Sequence, residues 1–315
     1  MKKIVLTSLL LSPLLVNADV IPAINSKGGA MVLPQDALKI SLKYIGFERN
    51  SMFEGKKEVT NKENLDAKAN ITLLGLHYGL TPTTSLGVML PYKSIEASAK
   101  LGPNDVAINN SGIGDMVLML RHQILPMNAS GFALAFDGGI KLPTGATDNG
   151  FKKAPAFASG LNTPLPTQMG TGGYEYMFGI GASQMIDESW RVDAHTMYTC
   201  RALAENDYDF ADEISLDLAS TKALTKQINI GLEYNFKYNS QTDMGEDTNA
   251  GLRAMLPFKA FSGSAGYLTP QIEFLPFAKP KLHVGIGVSF LAHYDTLEYQ
   301  PLEKEKLLVR VGYLF

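Results

Sequence analysis

Five histidines, one cysteine and a scatter of acids are the most reactive side chains of this 315-residue sequence. His77, His122, His195, His283 and His293 show no metal-ligand interval, and Cys200 alone supports neither a thiolate zinc site nor a disulfide. No Gly-Xaa-Ser-Xaa-Gly nucleophile elbow occurs. Gly112-Ile113-Gly114 and Gly179-Ile180-Gly181 begin like nucleotide loops, but neither completes a dinucleotide fingerprint or leads into a helical pattern. The stretch from Gly145 to Gly150 lacks the Lys-Ser/Thr of a phosphate loop. His195 is distinguished by its company, since it shares a polar face with Arg191, Asp193 and Arg201. That setting suits an acid/base, a switch or a solvated histidine. The residues therefore point away from an enzyme and imply no metal and no cofactor.

What remains is charge of both signs spaced along alternating segments. Lys39, Lys43, Lys68, Lys93, Arg121, Lys141, Arg191, Arg201, Lys237, Lys306 and Arg310 are interspersed with Asp115, Asp137, Glu175, Asp193, Glu213, Asp217, Glu233 and Glu273. Two roles fit such a set equally well: a cross-linked network that fills a narrow interior, or the lining of a permeation path with a transverse field. The candidate path residues are Lys43, Lys93, Asp115, Arg121, Asp137, Lys141, Glu175, Arg191, Asp193, His195 and Glu233. Met89, Met119, Met177 and Met185 alternate onto the same face, where they offer apolar patches to a greasy solute or simply fill gaps.

The elements that must position these groups are strands. Leu38, Ile40, Leu42 and Tyr44 alternate with Lys39, Ser41 and Lys43. The period of two recurs in Phe132–Leu142, in Trp190–Arg201, in Ile228–Tyr238 and in Leu307–Phe315. The runs last about 10–14 residues, against ~5–6 for an average soluble strand and about 9–11 for a strand that crosses a bilayer at a tilt. Charges within these runs fall almost wholly on one face. A lipid-facing apolar band around a polar interior accounts for both features, and the expected fold is all-β: a transmembrane antiparallel up-and-down β-barrel of about twelve strands.

Composition agrees. With 28 Lys+Arg against 31 Asp+Glu the net charge is −3, which leaves no basic field for nucleic acid. Mean hydropathy is +0.00, and no long apolar run follows the N-terminus, so a helical bundle is excluded. Met1-Lys2-Lys3, the apolar stretch Ile4 to Val16 and the compact Val16-Asn17-Ala18 read as a secretory signal peptide, residues 1–18, cut after Ala18. Residues 19–36 then form a periplasmic or lumenal segment, whose Gly and Pro favour an irregular path and a small plug. Residues 37–315 form the barrel.

Connections alternate in length, as barrels of this kind require. Short links are expected at Leu80–Thr83, Pro126–Ser130, Asp187–Ser189, Thr221–Lys226 and Ala278–Pro280, all periplasmic. Long ones are expected outside, at Arg49–Leu65, Ile95–Ser111, Pro143–Thr171, Ala202–Ala211, Asn239–Gly263 and Tyr294–Glu303. The stretch Asn249–Phe261 is assigned to the fifth long loop; fourteen strands would need one more from the N-terminal segment. Phe315 ends the chain with Tyr313 on the same face, which is similar to the assembly signal of outer-membrane barrels. The expected setting is the bacterial outer membrane, with its lipid, the barrel-assembly machinery and periplasmic chaperones as partners.

Several motifs resemble a family of Gram-negative outer-membrane transporters labelled for the MetA pathway of phenol degradation. They are Lys27-Gly28-Gly29-Ala30-Met31-Val32-Leu33-Pro34, Tyr78-Gly79-Leu80-Thr81, Leu86-Gly87-Val88-Met89-Leu90-Pro91-Tyr92, Gly112-Ile113-Gly114-Asp115-Met116-Val117-Leu118, Gly139-Ile140-Lys141-Leu142-Pro143-Thr144-Gly145 and Gly170-Thr171-Gly172. Tyr267-Leu268-Thr269-Pro270-Gln271 resembles the family's Leu-Ser-Pro-Gly strand, with Thr and Gln departing from it. The resemblance implies a monomeric barrel that passes small hydrophobic or aromatic compounds without catalysis. The competing expectation is a non-conducting surface barrel whose long loops bind a ligand or partner.

Overall fold

The computed structural model describes residues 22–25, 27–202, 204, 208–243, 261–277 and 281–315. The signal-peptide assignment, the 278–280 link and nearly all of Asn249–Phe261 lie outside these residues. The first strand, β1 (Leu38–Arg49), is followed by a small hairpin, β2 (Ser51–Gly55) and β3 (Lys57–Val59). Then come β4 (Asp66–Thr81), β5 (Thr84–Leu101), β6 (Asn104–Ile113), β7 (Met116–Leu125) and β8 (Phe132–Leu142). The second half holds β9 (Glu175–Asp187), β10 (Trp190–Arg201), β11 (Glu213–Ala223), β12 (Ile228–Asn239), β13 (Gly263–Phe274), β14 (Leu282–Leu302) and β15 (Glu305–Leu314).

Twelve of these are staves of one closed antiparallel barrel. Each pairs with its neighbours in the order β1-β4-β5-β7-β8-β9-β10-β11-β12-β13-β14-β15, and β15 returns to β1 with Lys43 opposite Arg310. Closure leaves no free edge, which is the condition for backbone amides to sit in hydrocarbon. Lipid-side residues follow the alternation: Leu42 is 50%, Phe178 53% and Leu232 48% exposed. Side chains of that size half bare in water would be costly; against acyl chains they are at home. At the C-terminus Phe315 donates its N–H to the Leu38 carbonyl and packs edge-on against Tyr313 at 4.6 Å.

β6 and β7 are one stave broken by a bulge. Both pair β5, but the register slips by one residue between Gly112 opposite Lys93 and Val117 opposite Met89. The Gly114 N–H bonds the Pro91 carbonyl there. A one-residue slip exchanges the two faces, so odd-numbered Ile113 faces outward above the bulge and even-numbered Met116, Leu118 and Leu120 face outward below it. The Gly-Ile-Gly-Asp motif is thus a strand bulge that turns Asp115 into the interior.

Two expected loops are corrected. Ile95–Ser111 is no open loop but a hairpin, closed by Gly102 and Pro103, in which β5 and β6 continue beyond the barrel. Gly102 has φ 60°, the left-handed value that such a two-residue turn needs. Tyr294–Glu303 likewise stays extended, because β14 runs on to Leu302 and pairs β2. The neighbouring Arg49–Leu65 link contains the β2–β3 hairpin. Strand propensity here finds a partner outside the membrane, and hydrophobic patterning alone does not reveal that partner.

Candidate functional site

The interior is filled by two parts of the same chain. From one end, residues 22–25 and 27–36 run around the inside of the wall as a belt. Arg310 (β15) donates to the carbonyls of Pro22 and Ala23 at 2.6 and 3.1 Å. The Ile24 N–H bonds Gln271 (β13) at 2.6 Å, and the Asn25 N–H bonds the Glu233 carboxylate (β12) at 2.9 Å. Lys27 gives its N–H to Asp217 (β11) and its ammonium to Ser215 at 2.6 Å. The Ala30 N–H bonds Ser183 (β9) at 2.8 Å, while Gln123 (β7) donates to the Ala30 carbonyl at 2.9 Å. Leu33 bonds Ser85 (β5), and Asp36 bonds the Gly79 carbonyl (β4).

Small residues make the room. Ala133 and Ala135 on the inner face of β8 pack against Ala30, all three fully buried. A side chain on Gly29 would collide with Ser183, Asp193 and the Ala182 carbonyl, and one on Gly79 would meet the Pro34 carbonyl. The wall therefore reads the belt mainly through backbone, with carboxylates and hydroxyls taking its N–H groups and Arg and Gln holding its carbonyls.

From the other end a strap, residues 143–171, lies over the mouth. It has no strand, only short 3-10 turns at Ala156–Ala158 and Leu165–Thr167. Asp115 holds both its ends, accepting the Gly145 N–H at 2.9 Å and the Thr171 N–H at 3.0 Å. Lys141 ties the same point, 2.9 Å from Asp115 and 2.7 Å from Glu175, and donates to the Thr171 hydroxyl at 2.6 Å. Lys93 donates to the Met169 carbonyl at 2.7 Å, and Asn110 to the Thr163 hydroxyl at 2.8 Å. Above this latch Met52, Leu65, Ala97, Ala99, Val106, Ile108 and Ala158 form a buried apolar cap. The cap joins the β2–β3 hairpin, the β5–β6 hairpin and the strap.

Between belt and strap the wall charges bind each other. Asp137 takes a two-point contact from Arg121, 2.7 and 2.6 Å, and a third bond from His195 Nε2 at 2.7 Å. Asp193 bonds Ser183 at 2.6 Å and Arg191 at 3.0 Å. Arg201 bridges Glu175 and Glu213. Near the outer end Glu303 receives Arg49 at 2.7 Å and Lys306 at 3.0 Å, and the Lys306 ammonium lies 3.5 Å from the centre of the Tyr267 ring. Asp137 and His195 are almost wholly enclosed. Replacement of Asp137 by Ala strips Arg121 and His195 of their acid, and breaking a buried pair of this kind costs about 3 kcal/mol. Asp137→Ala is therefore expected to lower the urea midpoint of the vesicle-reconstituted barrel clearly, followed by loss of heat-modifiable mobility.

All eleven candidate path residues point into the barrel or its strap latch, yet in different company. Asp115, Lys93, Lys141 and Glu175 gather at the latch; Arg121, Asp137, Arg191, Asp193 and His195 form the middle network. Lys43 and Glu233 meet the belt, Lys43 through the Asn25 side chain at 3.3 Å. Lys68 departs from the inner set. It lies on the outward face 3.9 Å from Glu48 and borders, with Tyr44, Gly46, Asn70, Val288 and Leu307, a recess of about 460 Å³ in the outer wall. His122 also faces outward, bonded to the Thr84 hydroxyl at 2.9 Å. Sequence reasoning missed Ser85, Gln123, Ser183 and Gln271, which hold the belt. Their one legible signal is a small or amide side chain on the inner face of a strand. Among the described residues no three His, Cys, Asp or Glu side chains group as metal ligands.

A closed twelve-stave sheet with a lipid-facing apolar surface and a polar, self-filled interior defines a transmembrane β-barrel of the bacterial outer-membrane class. Within that class the chain belongs to the family described as "Putative MetA-pathway of phenol degradation", which it matches over residues 55–291. In fold it is similar to an outer membrane channel from Pseudomonas putida F1, with 14% identity over 92% of this chain and 99% of that one and a TM-score of 0.68. It is more distantly similar to the KdgM porin, with 7% identity over 88% and 99% of the two chains and a TM-score of 0.45. The CymD monoaromatic hydrocarbon channel matches with 9% identity over 89% and 88% and a TM-score of 0.42. No curated protein matches the chain in sequence.

Proposed function

We propose that this protein is a passive outer-membrane channel for small hydrophobic or aromatic compounds. The observation that carries the reading is the apolar cap: on the outer side Met52, Leu65, Val106 and Ile108 form a buried apolar cluster against which the strap packs. A hydrated ion gains nothing on such a surface, whereas an apolar solute leaves water on reaching it. Family membership supports the same substrate class, and a transport role rather than a catalytic one accounts for an interior whose polar groups are bound to one another. The inner-face residues set passage once belt and strap yield.

The test uses the outer membrane of intact Gram-negative cells as the barrier. Cells that express the protein are expected to take up the apolar dye 1-N-phenylnaphthylamine several times faster than cells that express an unrelated small barrel at the same level. Equal rates would sink the channel reading and favour a non-conducting barrel that displays its outer hairpins to a partner.

A further inference from the structure

The strap is held to the cap in an unusual way. Its backbone meets the β5–β6 hairpin at Ala107, which exchanges hydrogen bonds with Lys153 and also accepts the Lys152 N–H, and the Lys153 ammonium lies 2.8 Å from Asp105 of the same hairpin; its other bridge, Gly150 with Asn162, is internal. Lower down, its polar ties to Asp115, Lys141, Lys93 and Asn110 run through its own backbone and hydroxyl groups. Water can take the place of such bonds as the strap lifts, so they do not by themselves forbid opening. Water cannot replace the apolar contacts by which Ala158 joins the cap and Phe151 and Leu161 pack against it. A lifted strap would bare that face, so the closed state dominates unless another apolar surface covers it. A ligand shifts such an equilibrium only through its preference for one state, and here the preference belongs to apolar molecules.

We propose that the apolar face of Met52, Leu65, Val106 and Ile108 is a docking site for a small apolar solute, and that Phe151, Ala158 and Leu161 of the strap occupy it as stand-ins until the solute displaces them. The inference rests on the channel reading and deepens it, since binding at this face is what opens the mouth. It also supplies selectivity, because sugars and ions lack the surface to compete with the strap.

A reversible lock tests it. Ala107 and Lys153 exchange both backbone hydrogen bonds, at 2.9 and 3.1 Å. Cα atoms of such an antiparallel pair stand about 5.5 Å apart, within the range a disulfide spans. In a Cys200→Ser background, the Ala107→Cys, Lys153→Cys protein is expected to lose phenylnaphthylamine uptake when oxidised and to regain it with dithiothreitol. The reduced form serves as the folding control. Uptake that is equal in both redox states, with wild type active, overturns the strap proposal and leaves the channel standing. Wild-type uptake no faster than the control barrel overturns both. As a second arm, Phe151→Ser weakens the stand-in and is expected to raise uptake severalfold at low dye concentration; unchanged or reduced uptake counts against displacement.

Discussion

Removal of residues 22–34 from a barrel whose strap is also shortened, residues 147–167 being replaced by a short Gly-Ser linker, is expected to raise the ion conductance in planar bilayers roughly tenfold above that of the strap-shortened barrel alone, because twelve strands enclose more space than their own side chains fill; interiors of about 8 strands are packed solid and those of 16–18 hold water. Here the difference is taken up by the belt, whose Ala23, Ile24 and Ala30 are almost wholly buried and which touches the wall from β15 around to β4. Its removal leaves Glu233, Asp217, Ser183, Gln123 and Arg310 without their belt contacts. These groups then face water instead of an apolar gap, so the barrel stays folded and heat-modifiable. An unchanged conductance in a folded deletion variant would mean that the belt does not set the aperture. A loss of folding would show the belt to be the barrel's core.

The second large effect concerns the other side of the wall. Leu232 faces outward from the middle of β12, between Ser220 and Pro270 on the flanking staves. Leu232→Arg puts a guanidinium where acyl chains lie, at a cost of roughly 2–4 kcal/mol near the midplane. Gln227→Arg carries the same charge to the exposed periplasmic turn, where the cost falls to about 0–1 kcal/mol. Folding yield into vesicles is expected to drop sharply for the first variant and hardly for the second. Equal yields would contradict the facing assigned to β12. The neighbouring Glu233 holds the belt, so a shift of one residue along this strand separates the lipid solvent from the lumen.

Facing was legible for a simple reason. Side chains alternate with a period of two and the two sides of the wall are different solvents, so Leu232 and Glu233, or Phe136 and Asp137, carry their side in their own chemistry. The twelve staves and the alternation of short and long links were legible on the same grounds. The β6–β7 bulge was not, because Ile113 and Met116 are both apolar and the change of parity between them falls inside a glycine-rich motif. The extended β5–β6 and β14–β2 pairings were hidden as well. Their polar stretches read as loops until the partner strand is in place.

The residue pattern alone establishes that this chain is a barrel, that its greasy face meets lipid, and that charges of both signs share one interior. Those facts rest on side-chain type and spacing, which every residue carries with it. What the charges do follows from the three-dimensional arrangement of the chain. Glu233, Ser183 and Arg310 bind the peptide groups of the belt, and Asp115 binds those of the strap. Peptide groups are the same in every residue and leave no mark in a sequence. Whether an interior carboxylate lines a path or holds a segment of chain across it is therefore settled by which backbone is brought within 3 Å of it.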